Sequence, residues 1–197
     1  MLDTYKFIEK YKRISIIGME KNVGKTTLLN KLIADIGTNK KLGLTSIGRD
    51  GEDIDVVTNT DKPRIYVRRG SIIATGRNCL AKCDITKEIL YVTDFTTPMG
   101  SIVIVRALSD GYVDIAGPSY NKQVKIVVEL MEKFGSEISI VDGALGRKST
   151  AISDVSEATI LSTGAALSLD MLKVVEETKK TVYFLKLNEA EKNIKEK

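Results

Sequence analysis

Along the chain the first ordered run of apolar positions is RISIIG, residues 13 to 18, and it gives way at Gly18 to the polar stretch GMEKNVGKTT. Beyond that stretch Leu28, Leu29, Leu32, Ile33 and Ile36 recur at the three- and four-residue intervals of one helical face. This spacing predicts a helix over residues 24 to 36 with Gly37 as its stop. LGLTSIG, residues 42 to 48, is the next apolar run, and the polar RDGED follows it. A strand, a glycine-containing loop, a helix and a second strand in succession imply parallel pairing through a right-handed crossover.

The pattern then changes. RIYVRR, SIIAT, EILYVT, SIVIVRAL and YVDIAG are short β-type runs broken by RG, TTPMG and SDG, so a region of about 63 to 116 is expected to form hairpins or a meander rather than further βαβ units. Helical spacing returns in NKQVKIVVELMEKFG. There Val124, Val127, Val128, Leu130 and Met131 supply an apolar face, Ser119 is placed to cap the start and Gly135 to end it. EISIVDG, ATILST and TVYFLKL read as three further buried strands, the last two separated by the helical SLDMLKVVEETKK. NEAEKNIKEK has the charge of a frayed or disordered end. The expected fold class is α/β, with a mostly parallel sheet and an inserted β-hairpin or meander region. One domain is expected over residues 1–187 and a charged tail over 188–197.

Composition restricts the chemistry more than the fold. Apolar residues make up 43% and charged residues 28%, as in ordinary globular proteins. No apolar stretch reaches the length of a bilayer span and the start MLDTYKFIEKYKR carries no apolar signal core, so a cytoplasmic protein without a membrane partner is expected. The net charge of +4 is mild, and the lysines are interspersed with acids rather than gathered with aromatics, which argues against a nucleic-acid platform. The chain has no histidine. That removes Ser-His and Cys-His nucleophile pairs, imidazole acid-base catalysis and most transition-metal sites. Cys79 and Cys83, the only two cysteines, cannot complete a zinc site by themselves and read as ordinary reduced thiols. Carboxylates, lysine, arginine, backbone amides and a bound hard cation remain.

GMEKNVGKTT sits between a strand and an amphipathic helix, the context in which a glycine-lysine-hydroxyl pattern binds phosphate. The first N–H groups of a helix have no intrahelical partner and lie at the positive end of its dipole, so a polyphosphate satisfies both. Gly24 lets the main chain approach the phosphate oxygens, Lys25 can reach the β and γ phosphates, the Thr26 hydroxyl can ligate magnesium, and Thr27 is placed for the α-phosphate. Gly18, Asn22 and Val23 complete the expected nucleotide-binding set. A Walker B carboxylate is expected at the end of another strand, and Asp142 in SIVDG has the apolar run before it that such a residue requires. In the loop SIGRDGED, residues 46 to 53, Asp50 or Glu52 could orient water or join the magnesium shell and Arg49 could neutralise phosphate charge; Arg147 in DGALGRKS has the same reading. Lys25, Asp50 and Asp142 are thus the candidate catalytic residues, Thr26 and Asp142 the candidate metal ligands, and ATP with Mg2+ the expected ligand. Base choice is poorly encoded: the asparagine-lysine-x-aspartate element that reads guanine is not found after a late strand, so ATP is the default and another nucleoside triphosphate stays open.

Five residues separate Gly18 from Gly24, where the usual P-loop has four between its glycines. This longer loop resembles that of dethiobiotin synthetase and its relatives, and the KNxGKTT core is similar to the molybdopterin-guanine dinucleotide accessory protein. Taken with TSIGRDGE, GYVDIAGP and DGALGR, the chain from about residue 13 to 180 resembles the small P-loop subunit of the lysine 5,6-aminomutase reactivase. The resemblance implies an accessory protein that works with a companion ATPase subunit to restore an adenosylcobalamin-dependent aminomutase. It also implies a nucleotide-driven switch between conformations of different affinity for the mutase, with weak intrinsic hydrolysis at most. Two other readings stay open on the residues alone: an ATP-dependent small-molecule ligase or kinase like dethiobiotin synthetase, and a binding subunit that holds nucleotide without turnover. The β-rich insertion is either the contact surface for a partner or a cap on the sheet.

Overall fold

A computed structural model of the chain describes residues 4–48, 54–55, 60–61, 64–143 and 155–186. In chain order the elements are α1 (Thr4–Ile8), β1 (Arg13–Gly18), α2 (Lys25–Ile36), β2 (Leu42–Ser46), β3 (Ile54–Asp55), β4 (Thr60–Asp61), β5 (Ile65–Val67), β6 (Ile72–Gly76), α3 (Arg77–Leu80), β7 (Lys87–Thr97), β8 (Gly100–Ala107), β9 (Gly111–Val113), α4 (Asn121–Lys133), β10 (Ile138–Asp142), β11 (Ala158–Ser162) and α5 (Met171–Leu185). Seven strands form one sheet in the order β11-β1-β10-β2-β6-β8-β7. The first four neighbouring pairs are parallel, and β6-β8 and β8-β7 are antiparallel, so the protein is α/β with a mostly parallel central sheet.

Successive residues of the strands serve opposite layers. Ile14, Ile16, Leu42, Leu44, Ile73, Val103 and Val105 pack with Leu29, Leu32, Ile33 and Ile36 of α2. Ile72, Ala74, Ile102, Ile104 and Val141 pack with Val124, Val127, Val128 and Met131 of α4. The period-two alternation of the strands and the 3.6-residue stripe of each helix therefore meet in a three-layer arrangement. A second small ribbon, β5 paired antiparallel with β9, lies against α2: Asn30 donates to the Arg64 carbonyl at 3.3 Å and accepts from the Tyr66 N–H at 3.1 Å. Ile65 and Val67 of this ribbon are buried with the α2 cluster. Residues 64–116 are accordingly built into the main domain, three of their strands extending the sheet and two covering a helix.

Three local expectations are corrected. TVYFLKL is not a strand, because α5 continues through Leu185. Asp170 caps that helix by accepting the Leu172 N–H at 2.9 Å, and no glycine or proline stands between Met171 and Leu185 to stop it. The β-branched and aromatic content of the segment is thus overridden by helix propagation. The N-cap of α4 is Tyr120 in extended conformation, with no side-chain cap, rather than Ser119. Of YVDIAG only the first residues are strand; Asp114 onward is an extended connection. Gly135 does end α4, in left-handed conformation (φ 103°), with its N–H donating to the Glu132 carbonyl and that of Ser136 to the Met131 carbonyl.

At the amino ends of β2 and β10, Glu137 joins the two strands. Its carboxylate accepts from the Lys41 N–H at 2.9 Å and from Lys40 Nζ at 3.0 Å. The Lys41 backbone bond, and then Lys40, hold the carboxyl below its ordinary value. A depressed folded pKa means that the stabilisation is present above the unfolded carboxylate pKa and is lost as pH falls through the folded value. Glu137→Gln should therefore cost about 0.5 kcal/mol at neutral pH, small because solvent screens the site, and the difference from wild type should close on acidification. Urea titrations at neutral and acidic pH check this.

Candidate functional site

β1 ends at Gly18 and α2 begins at Lys25, so the loop 18–24 lies at the carboxyl edge of the sheet. Its start is anchored by the Met19 N–H, which donates to the Ser162 carbonyl at the end of β11 at 2.9 Å. Two left-handed residues shape the rest: Asn22 (φ 59°) and Gly24 (φ 86°, ψ 16°), on either side of the buried Val23. Alternating hands turn successive peptide N–H groups toward one side, the geometry of an anion-binding concavity. Gly24 is the N-cap of α2, no side chain caps this end, and the first intrahelical bond is Leu28 N–H to the Gly24 carbonyl at 2.9 Å. A Cβ built on Gly24 meets nothing within 4 Å, so the chain is open on that side of the residue.

Lys25 lies back across the loop. Its Nζ donates to the Glu20 carbonyl at 3.3 Å, and a Cβ built on Gly18 would stand 2.8 Å from Nζ, 2.9 Å from Cδ and 2.7 Å from Val23 Cγ2. Gly18 is therefore glycine because the lysine and Val23 occupy the space a side chain would take. Thr26 and Thr27 follow in the first turn of α2, half-buried and exposed respectively.

Asp142 is the last residue of β10, half-buried, and its Cα is in register with Ile16 of β1 on one side and Ser46 of β2 on the other. The chain next to it is tied across the sheet: Gly143 N–H donates to the Ile16 carbonyl at 2.9 Å, and Ile47 N–H to the Asp142 carbonyl at 2.8 Å. The strand carrying the aspartate is thus the immediate neighbour of the strand that feeds the lysine loop. The connection from β1 runs through α2 to β2 beyond β10, whereas the chain leaving β10 returns to β11 beyond β1. The carboxyl ends of β1 and β10 thus lie side by side, at the edge where open α/β sheets bind ligands.

Gly18, Asn22, Val23, Gly24, Lys25, Thr26, Thr27 and Asp142 are brought to this one edge. Arg49, Asp50, Glu52 and Arg147 lie outside the described residues. Among the described residues no three histidine, cysteine and carboxylate side chains are grouped to hold a metal. The donors at the edge, a hydroxyl and a carboxylate, suit magnesium that keeps several waters and takes further oxygens from phosphate. Cys79 and Cys83 are both free; burial raises the Cys83 thiol above its ordinary value and its Sγ donates to the Cys79 carbonyl at 3.2 Å, the setting of an unreactive thiol.

One part of this edge was not read from the sequence as belonging to it. Residues 114–118 cross the carboxyl ends of β2 and β6. Ala116 N–H donates to Thr75 Oγ1 at 2.9 Å and its carbonyl accepts from Gly76 N–H at 2.9 Å; Gly117 N–H donates to Ser46 Oγ at 2.9 Å; Gly48 N–H donates to the Pro118 carbonyl at 3.0 Å. The available signal was the Gly117-Pro118 pair after an apolar run, which fixes an extended, close-packed backbone.

No protein-family model matches the chain, and searches of curated proteins and of solved structures give no significant match. Among the described residues no helix is long and apolar enough to cross a membrane.

Proposed function

We propose that the chain is a P-loop nucleotide-binding protein that takes Mg·ATP at the edge formed by residues 18–27 and Asp142. The observation that carries this reading is the left-handed Gly24 directly ahead of the uncapped start of α2, with the Lys25 ammonium already lying over the loop. Main-chain N–H groups of Gly24 to Thr27 would take phosphate oxygens, with Thr27 nearest the α-phosphate. Lys25 would exchange its contact with the Glu20 carbonyl for the β and γ phosphates. Thr26 would hold magnesium directly and Asp142 through water. Asp50 is the candidate for orienting an attacking water. Magnesium supplies charge neutralisation across the phosphates when bound. Calorimetry with Mg·ATP and Mg·GTP tests the reading: binding, tighter for ATP, is expected, and no heat at millimolar nucleotide would refute it.

The role proposed for that binding is accessory, on the strength of the resemblance to the small P-loop subunit of the lysine 5,6-aminomutase reactivase. The chain would bind nucleotide beside a companion ATPase subunit and change its affinity for an adenosylcobalamin-dependent aminomutase, with little turnover of its own. Reactivation of an inactivated mutase by wild type but not by Lys25→Ala is the expected result. The loop of five residues between Gly18 and Gly24 favours one second reading, an ATP-dependent ligase or kinase like dethiobiotin synthetase. ATP turnover stimulated by a small metabolite in the absence of any protein partner would select it.

A further inference from the structure

None of the fifteen residues of α5 is buried, although a helix of that length is marginal in water unless one face packs. Its half-buried stripe is Val174, Glu177, Thr178, Thr181 and Val182, from which Thr178 Oγ1 donates to Thr163 Oγ1 at 3.0 Å. Successive helical residues turn by about 100°, so the face opposite that stripe carries Leu172, Glu176, Lys179 and Tyr183. Their intervals of four, three and four are those of a coiled-coil seam. All four are exposed, Leu172 at 75% and Tyr183 at 65%, with Met171, Val175 and Phe184 exposed beside them.

This seam is complementary to its own reverse. Its two ends are apolar and its two inner positions carry opposite charges, so turning it end for end brings apolar to apolar and acid to base. The charges at its centre are also unevenly satisfied within the chain. Glu176 and Glu177 share Lys180, at 3.0 Å and 3.1 Å, whereas Lys179 is in no ion pair among the described residues. A carboxylate that already holds one cation has acceptor sites for a second, and the spare lysine of another copy is such a cation.

We infer that α5 packs antiparallel against α5 of a second copy of this chain, about a twofold axis level with the bond between Glu177 and Thr178. In that register Leu172 stands opposite the partner's Tyr183 and Tyr183 opposite the partner's Leu172, which closes both apolar ends. At the centre Glu176 stands opposite the partner's Lys179 and Lys179 opposite the partner's Glu176. Met171 comes level with the partner's Phe184. A twofold contact requires such a patch, one that fits itself. Parallel pairing would instead set Glu176 against Glu176 and Lys179 against Lys179, and like charges across a seam reject that orientation. The inference does not depend on nucleotide binding.

Sedimentation velocity on the full chain, from micromolar to millimolar protein, tests it. Wild type should pass from monomer to dimer as concentration rises. Glu176→Lys and Lys179→Glu each place like charges opposite one another twice, and each should weaken self-association at least tenfold with an unchanged circular dichroism spectrum. Lys179→Glu removes no ion pair of the single chain among the described residues, so its effect reads the contact rather than the helix. The double variant with both changes in one chain restores opposite charges at both positions and should recover the dimer. Leu172→Asp, at an exposed position outside the core, should also weaken it. A wild type that stays monomeric overturns the inference, as do single variants that dimerise like wild type, which would mean that the copies meet elsewhere, or a double variant that does not recover.

Discussion

Lys25→Ala is expected to weaken Mg·ATP binding by about two orders of magnitude with no loss of folded protein. Two charge-assisted contacts to phosphate at about 1.5 kcal/mol each amount to about 3 kcal/mol, close to a 150-fold change. The fold should be indifferent, because the hydrogen bond the ammonium makes is the 3.3 Å one to the Glu20 carbonyl at the protein surface, and Lys25 is not part of the apolar cluster around α2. Calorimetry gives the affinity and thermal denaturation without nucleotide the control. A variant that binds like wild type would remove Lys25 from the site and with it the reading of the loop. If binding is lost while reactivation of an aminomutase is kept, the phosphate site stands and the accessory role as proposed does not.

Gly117→Ala should be the most destabilising of the single-methyl additions at the carboxyl edge. The added Cβ would fall 1.8 Å from the Ser46 carbonyl oxygen and 2.7 Å from Thr45 Oγ1. Backbone cannot swing aside as the end of a side chain can. Relief requires residues 114–118 to lift from β2, at the expense of the Gly117 to Ser46 and Ala116 to Thr75 hydrogen bonds, both buried. Overpacking plus strained or lost buried hydrogen bonds should cost about 3 kcal/mol or more, a fall in midpoint of roughly 6–12 °C for a chain of this size. Differential scanning calorimetry reads it directly, and an unchanged midpoint would show that the segment does not press against β2. Nucleotide affinity measured well below the midpoint should stay within a few-fold of wild type, since Gly117 is not among the phosphate-facing positions.

How far the sequence foretells this structure depends on the range of the interactions involved. β1, α2 and β2 were legible because a run of buried residues, a helical stripe and two glycines agree over adjacent positions, and the bounds of α2 differ from the expected ones by a single residue. Asp142 was legible for the same reason, as the first polar residue after an apolar strand. The extent of α5 was not. No residue of that helix is buried, so the apolar positions of TVYFLKL that suggest a core strand have no core to enter, and the sheet edge they would have extended is held by β11 instead. Helix start signals misled at Ser119 because the chain reaches α4 from the extended Gly117-Pro118 connection, which sets Tyr120 rather than Ser119 at the cap. The insertion of β10 between β1 and β2, which brings the aspartate beside the lysine loop, is a long-range pairing that no local pattern specifies.

The order of the seven strands sets the lysine loop far from the antiparallel margin of the sheet. Five strand spacings lie between β1 and β7, about 24 Å at roughly 4.8 Å per spacing. A triphosphate held at the loop would lie well beyond the hydrogen-bonding reach of any side chain on β7, so substitutions at that margin should leave nucleotide affinity as it is in wild type.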